Sequence, residues 1–517
     1  MPARVQIASF TNFGKGISQK TPPFANIENG LAEDFGMQVA ESANNVIMRV
    51  DSLEKFPGYS TELSSAIIGT PTITGVYEYK KTGSGAATYT IITAGTKVYT
   101  KSGSTLTEIY SGITADLLVS FVTFNNVCIM MNGSELLEYD GTTCQAITMD
   151  DPDNIFDTAK PKYAALFRNR IFYTGDNTYP SRVWTPRPGS YNNFDNTLST
   201  VDAFDVSVGD GEKITGINPL SKDLLVIYKQ GSIHRLSGSN PFGFSADIFR
   251  LEEITREIGC IAPHTIKQVG RDHFFFSTDG LKRLSIVNDY GDVVSADPTY
   301  KIQNTINTIN YSESVIEGAF TEYYKQEQLL YLHVPMGAGT TNTQTIVHDV
   351  VTGANMLRDG ITASCGAIVN REYLTGGYDG QIYQQHDSNG YDGDSITSSW
   401  ESKWIPLAGL HNKKEFRSLR IFFETSGISS IIVQWKLMTP EGLTKVYSKT
   451  SESASADVFD VGLFDTMLFD AGGNPIFKKN RLGRGLAIKL KIINNNANEP
   501  WKVSRIELGY VVLGRAR

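Results

Sequence analysis

Cysteine and histidine are scarce, with four Cys and seven His in 517 residues. Cys128, Cys144, Cys260 and Cys365 lie far apart, and there is neither a Cys-x-x-Cys nor a Cys/His cluster at ligand spacing. The sequence therefore carries no metal-ligand spacing in its cysteines. Strand interiors are the expected place for all four thiols. A Cys128–Cys144 bridge across a hairpin is the one pairing left open, and a reducing compartment disfavours it. No apolar run approaches the roughly 18–20 residues that cross a bilayer. The opening MPARVQIASFTNFGKGISQK carries two basic residues near its start but lacks the apolar stretch of a secretory signal. The expectation is a soluble chain made in a cytoplasm, with no membrane span. Charge is also sparse: 20% of residues, 47 Lys and Arg against 55 Asp and Glu, net −8. That balance argues against a surface built to grip phosphate backbones. An apolar share of 40% nevertheless excludes general disorder. The length allows about two to four domains.

Catalytic signatures are missing too. There is no Gly-x-Ser-x-Gly, no His-Glu-x-x-His and no phosphate loop ending in Gly-Lys-Ser/Thr. The nearest imitation, GDGEKIT around Lys213, has neither the spacing nor the strand-then-helix setting. His234, His264, His273, His333, His348, His386 and His411 are scattered among different segments, and only the fold could collect them. Ser277-Thr-Asp-Gly280 superficially resembles a sialidase Asp box, but Gly follows Asp directly and the Trp is missing, so a turn-forming Asp-Gly is the better reading. Asp150, Asp151, Asp153 and Asn154, and separately Asp202, Asp205 and Asp210, are the clusters that could hold calcium. Neither has the Gly and terminal Glu positions of an EF-hand loop. The one basic concentration is KKNRLGRG (Lys478 to Gly485), with Arg515 and Arg517 beyond it, read first as a solvated hairpin. No catalytic, cofactor-binding or metal-binding residue is assigned, and the chain is expected not to be an enzyme.

What the chain does have is a repeat. A short apolar run, a polar turn carrying Gly and a second short strand recur in IITAGTKVYTKSG (91–103), CIMMNGSELLEYDG (128–141), LVIYKQGSIHRLSG (225–238), FFFSTDGLKRLSI (274–286) and YLTGGYDGQIYQQ (373–385). Two looser copies begin at Arg170 and Leu329. Val, Ile, Phe and Tyr bounded by Asn-Gly, Asp-Gly or Gln-Gly predict β-hairpins. The markers Gly95, Gly133, Gly175, Gly231, Gly280, Gly339 and Gly380 are 38 to 59 residues apart, about 48 on average. A strand-based period of that size is the signature of a β-propeller. The seven hairpins could be seven blades, or six plus a closing strand.

The predicted fold class is therefore all-β: a propeller over residues 61–390, preceded by an N-terminal arm (1–60) and followed by an antiparallel β-sandwich (391–517). The arm includes a short helix in GLAEDFGMQVAESANN, where Leu31, Phe35 and Val39 form a stripe. Ile302, Ile306 and Ile309 predict another short helix on a blade edge, and TITGVYEYKK (72–81) predicts an outer strand. The polar stretch 386–399 reads as a linker. Beyond Trp400, alternation such as Ile488/Leu490/Ile492 against Lys489/Lys491 predicts half-exposed strands.

The order and texture of these segments resemble the tail nozzle or tail-hub proteins of short-tailed bacteriophages (tail tubular protein B). The likeness is carried by NVIMRVDSLEKFPG after the arm, by FRNRIFYTGDNTYPSRVWTPRPGSYNNF, by GCIAPHTIKQVGRDHFFFSTDGLKRLS, and by the C-terminal WESKWIPLAGLHNKKEFRSLRIFFE. The resemblance implies a non-enzymatic virion protein of the tail, assembled in the host cytoplasm. It also implies a hexameric ring below the portal and head-to-tail adaptor, contacted by tail fibres or spikes and by a needle or plug. Double-stranded DNA would pass through such a ring during genome ejection without being specifically bound. An acidic chain suits that passage, because a lumen that repels phosphate lets DNA slide. The competing expectation is a carbohydrate-binding or glycan-hydrolysing propeller acting in receptor recognition, which should show two carboxylates about 5–10 Å apart in its central channel.

Overall fold

A computed structural model describes residues 4–20, 38–83, 85–156, 160–198, 201–240, 247–286, 293–424, 430–452 and 476–515. Six separate four-stranded antiparallel sheets account for residues 73–111, 120–146, 163–205, 214–255 and 267–296, and for 365–385 together with an N-terminal strand. A seventh four-stranded unit, residues 320–359, forms one end of a nine-stranded sheet. The result is an all-β, propeller-like architecture.

The reason is visible in the apolar runs. Strands alternate their side chains between two faces, so a strand with a neighbour on only one face alternates apolar and polar, whereas a strand squeezed between two sheets is apolar throughout. In Asp272–Ser277, Phe274 and Phe276 enter the core shared with the 320–359 unit, while Phe275 enters the one shared with 214–255. In Leu224–Lys229, Leu225 and Ile227 pack toward 163–205, and Val226 and Tyr228 toward 267–296. In Val127–Met131 the pairs Ile129/Met131 and Cys128/Met130 divide in the same way. Each expected hairpin supplies the second and third strands of one sheet, which are the strands with packing on both sides. The four cysteines are free thiols; Cys128, Cys260 and Cys365 are buried and Cys144 is half-buried.

Two details differ from the sequence reading. Ile73–Lys81 is a strand, but it is the first and innermost of its sheet rather than an outer one. The stretch 386–399 is packed rather than a free linker: the Tyr391 ring stacks on Tyr59 with centroids 5.0 Å apart, and Ser398 and Ser399 already belong to a strand. The short helix around Ile302 and Ile306 is present, as a 3-10 turn (Tyr300–Ile302) running into Gln303–Ile306, with both isoleucines buried.

The described residues among 4–61 contribute five strands: β1 (Gln6–Phe10), β2 (Ala40–Asn44), β3 (Val46–Met48), β4 (Leu53–Lys55) and β5 (Tyr59–Thr61). Leu31 and Phe35 of the expected helix fall outside the described residues, and the end of that segment is β2 rather than helix. β1 pairs with the C-terminal strand Lys502–Arg515 in the register Gln6–Tyr510 to Phe10–Ile506. β2 lies parallel to Asn355–Asp359 on one side and antiparallel to Ser398–Ser402 on the other. It thereby joins the 320–359 unit to strands Ser398–Ser402, Ala487–Asn494, Ser430–Met438 and Thr444–Glu452 in one continuous sheet. β3 and β4 extend the facing sheet of Lys502–Arg515, Asn412–Phe423 and Ile476–Gly485. The apolar faces of these two sheets share a core containing Trp400, Phe416, Ile421, Trp435, Leu490 and Trp501. β5 pairs with Ile382–Gln385 and supplies the fourth strand of the last repeat.

Candidate functional site

The first strands of successive four-stranded units stand beside one another at six of the seven junctions. Ile73–Lys81 touches both Ser120–Phe124 and Cys365–Val369, Tyr163–Phe167 touches Ile214–Ser221, and Phe320–Tyr324 touches Lys267–Val269 and Cys365–Val369. Together the seven units enclose an axial cavity of about 280 Å³. Its wall includes Tyr77, Phe121, Tyr163, His264, Lys267 and Glu322. Each first strand offers between one and four residues to this space.

The polar chemistry of the cavity centres on one ion pair. Lys267 Nζ donates to both carboxylate oxygens of Glu322, at 2.7 and 2.6 Å. Burial pushes the Glu322 carboxyl above its usual range, opposed by the Lys267 charge and hydrogen bonds. His264 reaches the same space from a 3-10 turn, Pro263–Thr265, and burial lowers it to about 4, so it is neutral at physiological pH. Tyr77 and Phe121 stack nearly parallel, 5.1 Å apart, and Tyr77 Oη shares a hydrogen bond with Thr123 Oγ1 at 2.9 Å. Glu322 is the one carboxylate among the described residues that line the cavity, and it is neutralised by its lysine. This wall has no second acid to pair with it in glycosidic cleavage.

The fold does not gather the other histidines. His273 pairs with Tyr228 Oη at 2.8 Å, and His348 with Asn355 at 2.9 Å. His333 lies between Tyr373 Oη and Thr345 Oγ1, and His386 contacts Tyr331 at 2.9 Å and Glu327 at 3.3 Å. His234 is buried beside Ser232, and His411 is exposed. The acidic clusters are occupied by turn chemistry. Asp151 accepts the Ile155 and Phe156 amides, Asp150 accepts the Asn193 amide side chain, and Asp153 accepts the Asn196 N–H. Asp205 pairs with Arg182 and Asp210 with the buried Lys229. Among the described residues no three His, Cys, Asp or Glu side chains converge as metal ligands. Lys213 is held by Glu313 and Glu317. Asp279 of the Ser-Thr-Asp-Gly turn pairs with Lys282 at 2.8 Å, and Gly280 has φ +127°, a conformation only glycine adopts easily.

A second polar centre, at the junction of the N-terminal strands with the rest, carries no catalytic or ligand-binding motif. Arg358 is fully buried; its Nη2 donates to Pro57 O at 2.6 Å and its guanidinium lies 5.4 Å from the Phe56 ring centre. Asn45 accepts the Asp359 N–H at 3.0 Å. Lys55 Nζ donates to Asn494 Oδ1, Asn496 O and Glu499 O at 2.8 to 3.2 Å. These contacts fasten NVIMRVDSLEKFPG to both the 320–359 unit and the C-terminal strands. Only the assembled fold reveals them, because the partners lie roughly 300 to 450 residues apart in sequence.

No family model matches the chain, and no curated protein does. Two solved structures are similar in part. The extracellular domain of a hybrid two-component system from B. thetaiotaomicron matches with a TM-score of 0.40 and 10% identity, over 73% of this chain and 46% of that one. YCF48, solved bound to a D1 peptide, matches with a TM-score of 0.38 and 10% identity, over 64% of this chain and 97% of that one. This chain thus covers less than half of the first neighbour, and at such scores neither likeness bears on function.

Proposed function

We propose that this protein is a structural component of a short-tailed phage virion, a tail nozzle or hub that assembles as a hexameric ring below the portal and adaptor and conducts the genome outward. We read its seven four-stranded units as the blades of one propeller, with β5 closing the last blade, and its two C-terminal sheets as a sandwich. The observation that carries the reading is the nine-stranded sheet, in which β2 is inserted between the 320–359 unit and the C-terminal strands. A hinge between two domains would leave them free to move; a shared sheet with a common core fixes their relative position, as a ring subunit under load requires. The polar centres serve that rigidity: Lys55 and Arg358 tie segments together and the Lys267–Glu322 pair is internally neutralised. The role is non-enzymatic, and the fibre, spike and needle contacts belong to the same proposal.

A carbohydrate-binding propeller is the alternative, favoured by the Tyr77–Phe121 stack in the cavity wall. The lone, lysine-bound Glu322 weighs against its hydrolytic form. Light scattering and negative-stain imaging, with the protein alone and mixed with a portal–adaptor complex, separate the two. A six-membered ring, alone or on the complex, is the expected result. A strict monomer that ignores the complex yet binds oligosaccharides on a glycan array overturns the nozzle reading.

A further inference from the structure

The charge of this chain is strongly segregated. Residues 400–517 hold 18 Lys and Arg against 11 Asp and Glu, whereas residues 1–399 hold 29 against 44. The acidic extreme is residues 102–159, with nine Asp and Glu and no Lys or Arg. This stretch contains the whole second sheet, Ser120–Phe124 to Cys144–Ala146. Asp116, Asp140, Asp150 and Asp153 are exposed there. Their hydrogen-bond partners are neutral donors: the Thr142 and Thr143 amides for Asp140, Asn193 for Asp150 and the Asn196 amide for Asp153. Of the nearby lysines, Lys97 is engaged by Glu108, and Lys81, which donates to the Asp140 carbonyl, offsets the Asp140 charge alone.

The basic extreme is a sheet edge. Thr444–Glu452 pairs only with Ser430–Met438 and ends the nine-stranded sheet, so its other edge has no partner among the described residues. Leu443 and Val446 are 66% and 58% exposed. Lys449 lies over the Phe477 ring and donates to Lys478 O, which sets the start of KKNRLGRG beside this strand. Lys479 lies over the Trp435 ring, on which Tyr447 stacks. Lys449, Lys478, Lys479 and Arg481 make no ion pair with a described carboxylate. Lysines on an open edge discourage indiscriminate strand pairing while leaving the surface available to an acidic partner.

The two surfaces belong to separate sheets of the chain. The C-terminal sheets join the ring of units at the sixth, and the acidic second sheet lies three units away in one direction and four in the other. We infer that the basic edge formed by Thr444–Glu452 and Lys478–Arg481 docks on the acidic second sheet of a neighbouring copy, head to tail. This rests on the ring reading above and names its interface. A heterologous contact of this kind closes into a ring when the rotation per subunit permits, and opposite charge supplies orientation and rate more than raw affinity.

Charge reversal tests it on the full chain. One variant carries K449E, K478E and R481E; the other carries D116K, D140K and D153K. Circular dichroism and urea midpoints establish that both remain folded, and sedimentation velocity reads association at about 10 mM and about 300 mM salt. The expected result is association of the wild type that weakens with salt, a loss of about tenfold or more in each variant, and recovery when the two variants are mixed, because each then presents the charge the other needs. Wild type that stays monomeric at both salt concentrations overturns the inference, as do variants that associate normally or fail to rescue each other. A change confined to retention on a heparin column overturns it in favour of a polyanion site. Rings that survive both reversals would leave the nozzle reading intact and sink this interface. Charge-rescued assemblies that neither close nor engage a portal–adaptor complex would do the opposite.

Discussion

Gly58 and Gly390 pass in direct backbone contact: a Cβ added to Gly58 would sit 1.7 Å from the Gly390 carbonyl oxygen. Two flanking hydrogen bonds fix the approach, from the Gly58 N–H to Ser388 O at 2.6 Å and from the Tyr59 N–H to Gly390 O at 3.1 Å. This crossing delivers β5 to the edge of Ile382–Gln385. Both partners are backbone, so the structure cannot absorb a methyl group by rotating a side chain. Gly58→Ala should therefore destabilise the protein by about 3 kcal/mol, the upper end of overpacking costs. Urea midpoints measure the loss. Hydrogen exchange should show faster opening at Tyr383–Gln385 than at Ile91–Thr93, which belong to a sheet closed without β5.

How much of this was legible in the sequence depends on how far each signal reaches along the chain. The middle hairpins announce themselves, because Phe274, Phe275 and Phe276 form a continuous apolar run beside an Asp-Gly turn. Fourth strands are quieter: Thr105–Ser111 and Cys144–Ala146 are largely exposed and short of apolar residues. The N-terminal strands could not be paired locally at all. Asn44 finds Leu357 and Gln6 finds Tyr510, and nothing near either residue in sequence specifies those partners. The axial cavity was hidden for a related reason. Lys267 and Glu322 are 55 residues apart and face one another only because successive first strands converge.

The Lys267–Glu322 pair yields a pH-dependent prediction. Removing the lysine leaves a buried carboxylate without its counter-charge, so Lys267→Met should cost about 2–3 kcal/mol at pH 8, below the value for a fully buried pair because Lys267 is about one-third exposed. Burial already raises the Glu322 carboxyl in the folded state. The orphaned acid is expected to rise further and take up a proton as the pH falls, so the penalty should shrink toward pH 5. The double variant Lys267→Met/Glu322→Gln should recover much of the loss at pH 8. Urea unfolding of the three proteins at both pH values checks the sign; a penalty independent of pH would mean that the pair is not electrostatically coupled.

His333 governs part of the acid limb. Its ring stacks on Phe320 with centroids 4.4 Å apart, hydrogen-bonds Tyr373 and Thr345 at 2.7 and 3.0 Å, and is lowered to about 3 by burial, with Arg358 adding in the same direction. Between pH 6.5 and 3 the unfolded chain holds a proton here that the folded chain refuses, so stability is fully present above 6.5 and falls as the pH drops. On going from pH 7.5 to 5, His333→Gln should lose about 2 kcal/mol less than wild type, as read from urea midpoints. Wild type will still weaken in acid, since His264 and His273 are both lowered to about 4.

Lys55 acts at the alkaline end with a slope of the same sign. It is buried, and burial lowers it from 10.5 to about 8 despite the raising effect of Glu499. From pH 8 to 10.5 the unfolded chain keeps this proton while the folded chain gives it up, so stability contributed here rises with pH by at most about 1.4 kcal/mol per unit. Lys414, also lowered to about 8 by burial and donating to Gly409 O and Leu486 O, adds a rise of the same sign. Above pH 10 the buried tyrosines oppose both, because the unfolded chain ionises its phenols first. The informative window is therefore pH 8 to 9.5. Within it the urea midpoint of Lys55→Met should climb less steeply than that of wild type, with the remainder removed by adding Lys414→Met. Equal slopes in all three proteins would mean that Lys55 stays protonated in the fold, its three oxygen acceptors outweighing the cost of burial.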